Sequence, residues 1–122
     1  MDKPVDNQER VPRKPKVLRY GVYRALVVDQ ADPEQQGRIK VQFPWQILPG
    51  AGNYEAWARP VAWVAGDRSG VWSAPAAGSE VLIAFEGGDP RQPYLIGSLW
   101  NEADRPPEAE NNRIILRTSQ GV

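Results

Sequence analysis

Between Tyr20 and Asn101 the chain is cut into short apolar runs by glycine and proline turns every ten to twenty residues or so, and no segment of ten or more residues carries helical spacing with caps. This punctuation rules out a helical bundle and predicts an all-β domain. The run "YGVYRALVVD" (Tyr20 to Asp29) is rich in β-branched and aromatic residues and ends in a loop marked by Asp32-Pro33 and Gly37. "GRIKVQF" (Gly37 to Phe43) alternates, with Ile39, Val41 and Phe43 on one face and Arg38, Lys40 and Gln42 on the other, the pattern of a half-buried strand.

"PWQILPGAGNYE" reads as a loop by its Pro44, Pro49, Gly50 and Gly52, but it carries Trp45, Ile47 and Leu48, so it is expected to fold back on the body or meet a partner. "AWARPVAW" (Ala56 to Trp63) places Trp57, Val61 and Trp63 on one side, and Pro60 puts it at an edge or bulge. "EVLIAFE" (Glu80 to Glu86) turns Val81, Ile83 and Phe85 one way and Leu82 and Ala84 the other. It is apolar on both faces and therefore central. "PYLIGSLWN" (Pro93 to Asn101) follows after only "GGDPRQ", so the two form a β-hairpin in which Leu95, Ile96 and Leu99 fill or flank the core and Gly97 allows a close backbone approach.

Five strands in about eighty residues close most economically as a small antiparallel barrel of the OB type. Outside it, residues 1–18 are proline-bearing, charged and nearly free of apolar side chains, an arm that is either disordered or ordered by a partner. The expected division is thus an extended arm over 1–18, a barrel over 19–101, a polar linker over 102–112 and a C-terminal strand over 113–122. That last strand, "RIILRTSQGV", is apolar and is expected to find its partner in this domain, in another subunit or in a continuation of the chain.

The 122 residues fit one domain, and 41% hydrophobic content with five tryptophans is enough for one core. Fifteen basic and fifteen acidic residues give a net charge of zero, so nothing draws the whole molecule to nucleic acid or an anionic membrane. Histidine and cysteine are both absent. The commonest general base, the commonest zinc ligand, thiolate nucleophiles and disulfides go with them, and Ser69, Ser73, Ser79, Ser98 and Ser119 have no histidine to activate them. No apolar run approaches a membrane span or the core of a signal peptide, and the chain is expected to be made and folded in a cytoplasm.

The remaining chemistry-bearing patterns are weak. Asp29, Asp32 and Glu34 form an acidic turn without the glycine and terminal bidentate glutamate of an EF-hand, so a solvated turn is favoured over a metal site. Glu86 and Asp89 flank a turn and lack any other mark of a glycosidase pair. "GGDP" precedes a strand rather than a helix and lacks the lysine of a phosphate loop. Trp45, Trp57, Trp63, Trp72 and Trp100 serve either as core and interface anchors or, with Arg38, Lys40 and Arg59 holding phosphates, as stacking platforms for a single strand or a sugar. Neutral net charge favours the first. The expectation is a protein that is not an enzyme and needs no metal or cofactor.

Taken in order, four motifs resemble the OB domain of contractile injection system spikes, the family that includes baseplate assembly protein V and the central spike of contractile-tail phages, VgrG of type VI secretion and the spikes of phage-like particles. They are Gly37, Arg38, Lys40, Val41, Phe43, Pro44 and Trp45; then Trp57, Ala58 and Arg59; then Pro75, Gly78, Glu80, Val81, Leu82 and Phe85; then Gly88, Asp89, Pro90, Pro93, Gly97, Ser98, Leu99, Trp100 and Asn101. The resemblance implies a homotrimeric spike or baseplate component, an adaptor between a tube hub and a membrane-piercing tip, assembled in the cytoplasm into a virion tail or a secreted particle. It implies as partners a separately encoded hub, a tip or effector protein at the C-terminal end and the target cell envelope, with no nucleic acid.

"NNRIILRTSQG" resembles the first rung of the family's three-stranded β-helix, which assigns trimer intertwining to Ile114, Ile115 and Leu116. Contact with the hub or a neighbouring subunit is assigned to Trp45, Ile47 and Leu48 and to the arm. The pattern lacks the fused hub and the lysozyme insert of some members, so the expected molecule is a small separate spike. The competing expectation is an OB-fold binding module for single-stranded nucleic acid or a glycan.

Overall fold

The computed structural model of the chain describes residues 17–48, 50, 52–107 and 112–119; within it, the side chains of Ile47 and Leu48 fall outside the described set. Seven strands and one short 3-10 turn follow in order: β1 (Val22–Asp29), β2 (Ile39–Leu48), β3 (Gly52–Pro60), β4 (Ala65–Gly66), β5 (Ser69–Gly70), β6 (Glu80–Phe85), the turn Glu86–Gly88, and β7 (Pro93–Leu99). Five of them close a barrel in the order β1-β2-β3-β7-β6, while β4 and β5 make a separate two-stranded hairpin. The expected five-stranded OB barrel is present, with one correction. Four of its seams are antiparallel, and the fifth, β3 with β7, is parallel and rests on Arg59 opposite Tyr94 and Pro60 opposite Leu95.

Alternation sets the interior. Ala25 and Val27 of β1, Ile39, Val41 and Phe43 of β2, Ala58 of β3, Val81, Ile83 and Phe85 of β6 and Leu95 of β7 form the buried core. Tyr23, Tyr54, Ala56 and Ala74 pack against it. The inward sets expected for β2 and β6 are found there, and β6 is central, paired with β1 on one side and β7 on the other.

On β3 the side that carries Trp57 is the outward one. Ile39 pairs with Ala58, Val41 with Ala56 and Phe43 with Tyr54, so the inward positions of β3 are Tyr54, Ala56 and Ala58, and Trp57 points out. A small barrel has little interior width, and the bulky residues of β2 fill it only if small ones oppose them. A one-residue change of register sends the indole outside. Val61 and Trp63 lie beyond the end of β3 and are exposed, Trp63 at 94%.

The expected loop from Pro44 is also corrected, because β2 continues to Leu48 and pairs antiparallel with β3. Phe43 opposes Tyr54 and the next pair is Ile47 with Asn53, which leaves 44–46 bulged out of the ladder. A proline there forfeits no ladder hydrogen bond. The carbonyls freed by the bulge are taken up by Asn53, whose Nδ2 donates to Phe43 O at 3.3 Å and Pro44 O at 3.1 Å.

A second bulge separates Leu82 opposite Gly97 from Ile83 opposite Leu95, so Ile96 is extra and turned to solvent. The expected close approach at Gly97 is not there: a Cβ at that position would meet nothing within 4 Å. The crowded glycine of this hairpin is Gly88, with φ +83° and a Cβ position 2.9 Å from the Tyr20 ring. Its carbonyl accepts from Arg19 N at 2.7 Å, so residues 18–20 lie as a strap across the turn that joins β6 to β7. Gly78, at φ +89°, turns the chain so that its N–H donates to Val27 O at 2.8 Å and leads into β6.

Beyond β7, Asn101 builds a turn. Its Oδ1 accepts from Ala103 N and Asp104 N, and its own N–H donates to Asp104 O. Residues 113–118 have no regular secondary structure in the single chain, in contrast to the expected strand. Ile114 and Leu116 are fully exposed and Ile115 is half-buried. The greater part of the expected N-terminal arm (1–16) and residues 120–122 lie outside the described residues.

Candidate interaction surfaces

The best-ordered polar feature of the barrel is the turn between β1 and β2. Asp32 accepts from the backbone N–H groups of Glu34, Gln36 and Arg38 and from Nε and NH2 of the Arg38 side chain, all at 2.8–3.1 Å. Arg38 also reaches Glu34 at 2.7 Å. The Asp32 side chain is only 2% exposed. The Arg38 guanidinium hydrogen-bonded to it holds its carboxyl far below the usual carboxylate range, with the three backbone donors adding to that and desolvation opposing it. The same bond raises Arg38. A carboxylate with this many donors is a structural staple that closes the loop, so the cation reading of Asp29, Asp32 and Glu34 is replaced by an internal one. Among the described residues no three metal-ligating side chains come together.

Arg38 and Lys40 lie over the outward Trp57 ring, at 5.6 and 5.9 Å from its centroid, and Lys40 pairs with Glu55 at 3.3 Å. The residues expected to hold phosphates are therefore already engaged with carboxylates and with the one indole beside them. Arg59, the third, sits 5.7 Å from the Tyr94 ring.

The turn after β6 has the same character. Asp89 accepts from Arg91 N, Nε and NH2, and Arg91 lowers the Asp89 carboxyl in return. The Tyr94 hydroxyl donates to Glu86, a bond that raises Tyr94. The Tyr54 hydroxyl donates to Pro90 O at 3.0 Å, and burial, followed by the Asp89 charge, raises it. Glu86 and Asp89 are thus each held by a neighbour of their own and do not form a catalytic pair. Of the motif residues, Gly88 and Pro93 are buried, Pro90 accepts the Tyr54 bond, Glu80 accepts from Asn101 Nδ2 at 3.3 Å, and Ser98 is exposed.

No tryptophan belongs to the core. Trp45 is 43% exposed at one end of the barrel, its Nε1 donating to Arg24 O at 2.9 Å, with the Tyr23 and Phe43 rings at 5.1 and 5.4 Å and Arg19 over its face. Trp63, Trp72 and Trp100 are exposed and Trp57 is half-buried. The core half of the anchor reading is therefore corrected, and the outside of the barrel carries the indoles. Sequence reasoning also missed the β4–β5 hairpin, which with its flanks at 61–73 is exposed throughout and shows Val61, Trp63, Val64, Val71 and Trp72. Two paired residues on each side are too few to leave a periodic signal, and only the glycines hint at it.

Residues 23–100, which span the barrel from β1 to the end of β7, match the model of the type VI secretion system/phage-baseplate injector OB domain. Among curated proteins the chain is similar to the type VI secretion system spike protein VgrG5 of Pseudomonas aeruginosa, 38% identical over 99 residues, which is 77% of this chain and 12% of that protein. It is 32% identical over 120 residues to the spike protein VgrG2a of the same organism, 94% of this chain and 14% of that protein. A third relative, the actin cross-linking toxin VgrG1 of Vibrio cholerae, is 32% identical over 89 residues, 70% of this chain and 8% of that protein. The chain thus spans a small fraction of these relatives, the part that holds the barrel. A sealed OB barrel with its polar residues tied into its own turns and its indoles outside is what that match covers, and the chain belongs to the type VI secretion and phage-baseplate injector OB-domain family.

Proposed function

We propose that this chain is a structural component of the spike of a contractile injection machine, a homotrimeric adaptor between the tube hub and the piercing tip, and that it becomes part of the injected or extracellular particle. The observation that carries this reading is the distribution of apolar surface. The barrel interior is filled by its own side chains, while Trp63, Trp72 and Trp100 and the pair Ile114 and Leu116 stand in solvent in the single chain. Exposed large apolar residues in such numbers mark contact with other chains. A closed barrel with its core inside transmits axial load through hydrogen-bonded strands, and threefold assembly shares that load and covers strand edges.

In this reading Ile114, Ile115 and Leu116 intertwine with the same residues of two neighbours. Trp45 with the adjoining Ile47 and Leu48 meets the hub or a neighbouring subunit, and the C-terminal end receives a tip or effector. A binding module for single strands or sugars is disfavoured because the Trp57 face is covered by Arg38 and Lys40, and both are ion-paired.

Removal of residues 113–122 tests the reading. The truncated chain is expected to keep its barrel by circular dichroism, because no described residue of the deleted segment belongs to the core, and to lose trimer stability, seen as dissociation at higher protein concentration in sedimentation velocity. An equally stable trimer would remove the intertwining role from Ile114 to Leu116.

A further inference from the structure

Between the β4–β5 hairpin and the barrel lies a cleft of about 550 Å³. Arg59, Arg68, Val61, Val64, Val71 and Trp72 are among the residues that line it, and no described Asp or Glu does. The cleft thus presents two guanidiniums above an apolar floor, with Asp67 in the turn beside Arg68 as the nearest carboxylate along the hairpin. Two features show that the walls are set rather than loose. Arg68 takes φ 55° in the two-residue turn that the pairing of Gly66 with Ser69 closes, so the hairpin itself sets its backbone. The Trp72 ring lies against Gly37, where a Cβ would come within 3.2 Å of it.

The complementary chemistry is on the same chain. "EADRPPEAE", residues 102–110, holds four carboxylates, Glu102, Asp104, Glu108 and Glu110, against the single base Arg105, and it contains Pro106-Pro107. Extended proline-bearing segments dock in aromatic-lined grooves at low entropic cost, and acidic ones choose grooves lined by arginine. Within the single chain the described part of this segment, 102–107, is exposed throughout and contributes nothing to the cleft lining.

We infer that the cleft receives the acidic, proline-bearing segment 102–110 of a neighbouring copy of this chain. A cleft on one copy and a segment on the next form a heterologous contact, the kind that closes into a ring when the rotation allows. The inference rests on the trimeric reading above and names the contact that reading leaves open.

The test is a charge exchange in the full chain, read as the trimer dissociation constant from a sedimentation dilution series at low salt. Arg59→Glu with Arg68→Glu is expected to weaken the trimer about tenfold or more, and so is the set Glu102→Lys, Asp104→Lys, Glu108→Lys and Glu110→Lys. The two sets combined are expected to restore it to within about threefold, because the attraction is re-formed with signs reversed. If the reversed arginines disturb the fold by circular dichroism, Arg59→Gln with Arg68→Gln replaces them, with a smaller weakening expected. A wild-type trimer that neither set weakens overturns the contact, leaves the trimeric reading standing and assigns the cleft to another partner. Two weakening sets that fail to rescue one another also overturn the pairing. A monomeric wild-type chain overturns both.

Discussion

Phe43→Ala is expected to cost about 3–5 kcal/mol, a large fraction of the stability of a domain of this size. Phe43 is fully buried. Its ring stacks on Tyr54 at 5.5 Å, meets Phe85 at 5.6 Å and Trp45 edge-on at 5.4 Å, so it joins β2, β3 and β6 and carries the outer Trp45 on its edge. A closed barrel cannot collapse around the void, because its strands are held at fixed separation by the hydrogen bonds on both sides. Urea titration followed by tryptophan fluorescence measures the loss. Phe43→Leu, which keeps most of the volume, is expected to cost less than about 2 kcal/mol. A loss under about 1 kcal/mol for the alanine variant would mean that the core is not organised around this ring.

The second large effect is expected at Asp32. Asp32→Ala leaves three backbone N–H groups and the Arg38 guanidinium without their acceptor, and the melting temperature is expected to drop by roughly 5–10 °C. The pH dependence follows from the direction of the shift. The folded carboxyl is held below its unfolded value by Arg38, so the stability it contributes is fully present above about pH 4 and is lost as pH falls through that value toward the folded one. Asp89 is lowered in the same sense by Arg91. The wild-type urea midpoint is therefore expected to fall between about pH 4 and pH 2, and Asp32→Asn, which cannot titrate, to fall less steeply. Equal slopes for the two proteins would place the acid sensitivity elsewhere.

The strands legible in the sequence are those whose partners do not change the answer. Val81, Ile83 and Phe85 point inward, as do Ile39, Val41 and Phe43, because alternation is a property of one strand. The face of β3 was not legible, since it depends on the space left by β2. Trp57 is the more hydrophobic candidate, yet only Ala58 fits opposite Ile39. Pro44 was misleading for the same reason: a proline ends a strand unless a bulge removes the need for its N–H, and the side chain that makes this bulge tolerable, Asn53, lies nine residues on.

The surfaces were legible by type and not by geometry. The sequence offers the indoles as core anchors, interface anchors or stacking platforms, and the fold removes the core from that choice. Which of them lie on one side of the barrel depends on the bulges at 44–46 and Ile96 and on the short β4–β5 hairpin, none of which leaves a period in the sequence. The pairing of Asp32 with Arg38 spans a turn and follows no strand or helix spacing. The Asp-Pro step announced a turn there, not the staple that closes it.

If this chain is a spike adaptor, two further copies of it cover the apolar surface of the barrel. Light scattering on the full chain across a micromolar dilution series measures this directly. One species of three times the 13.6 kDa chain mass is expected. A species of the single-chain mass at the highest concentration would contradict it.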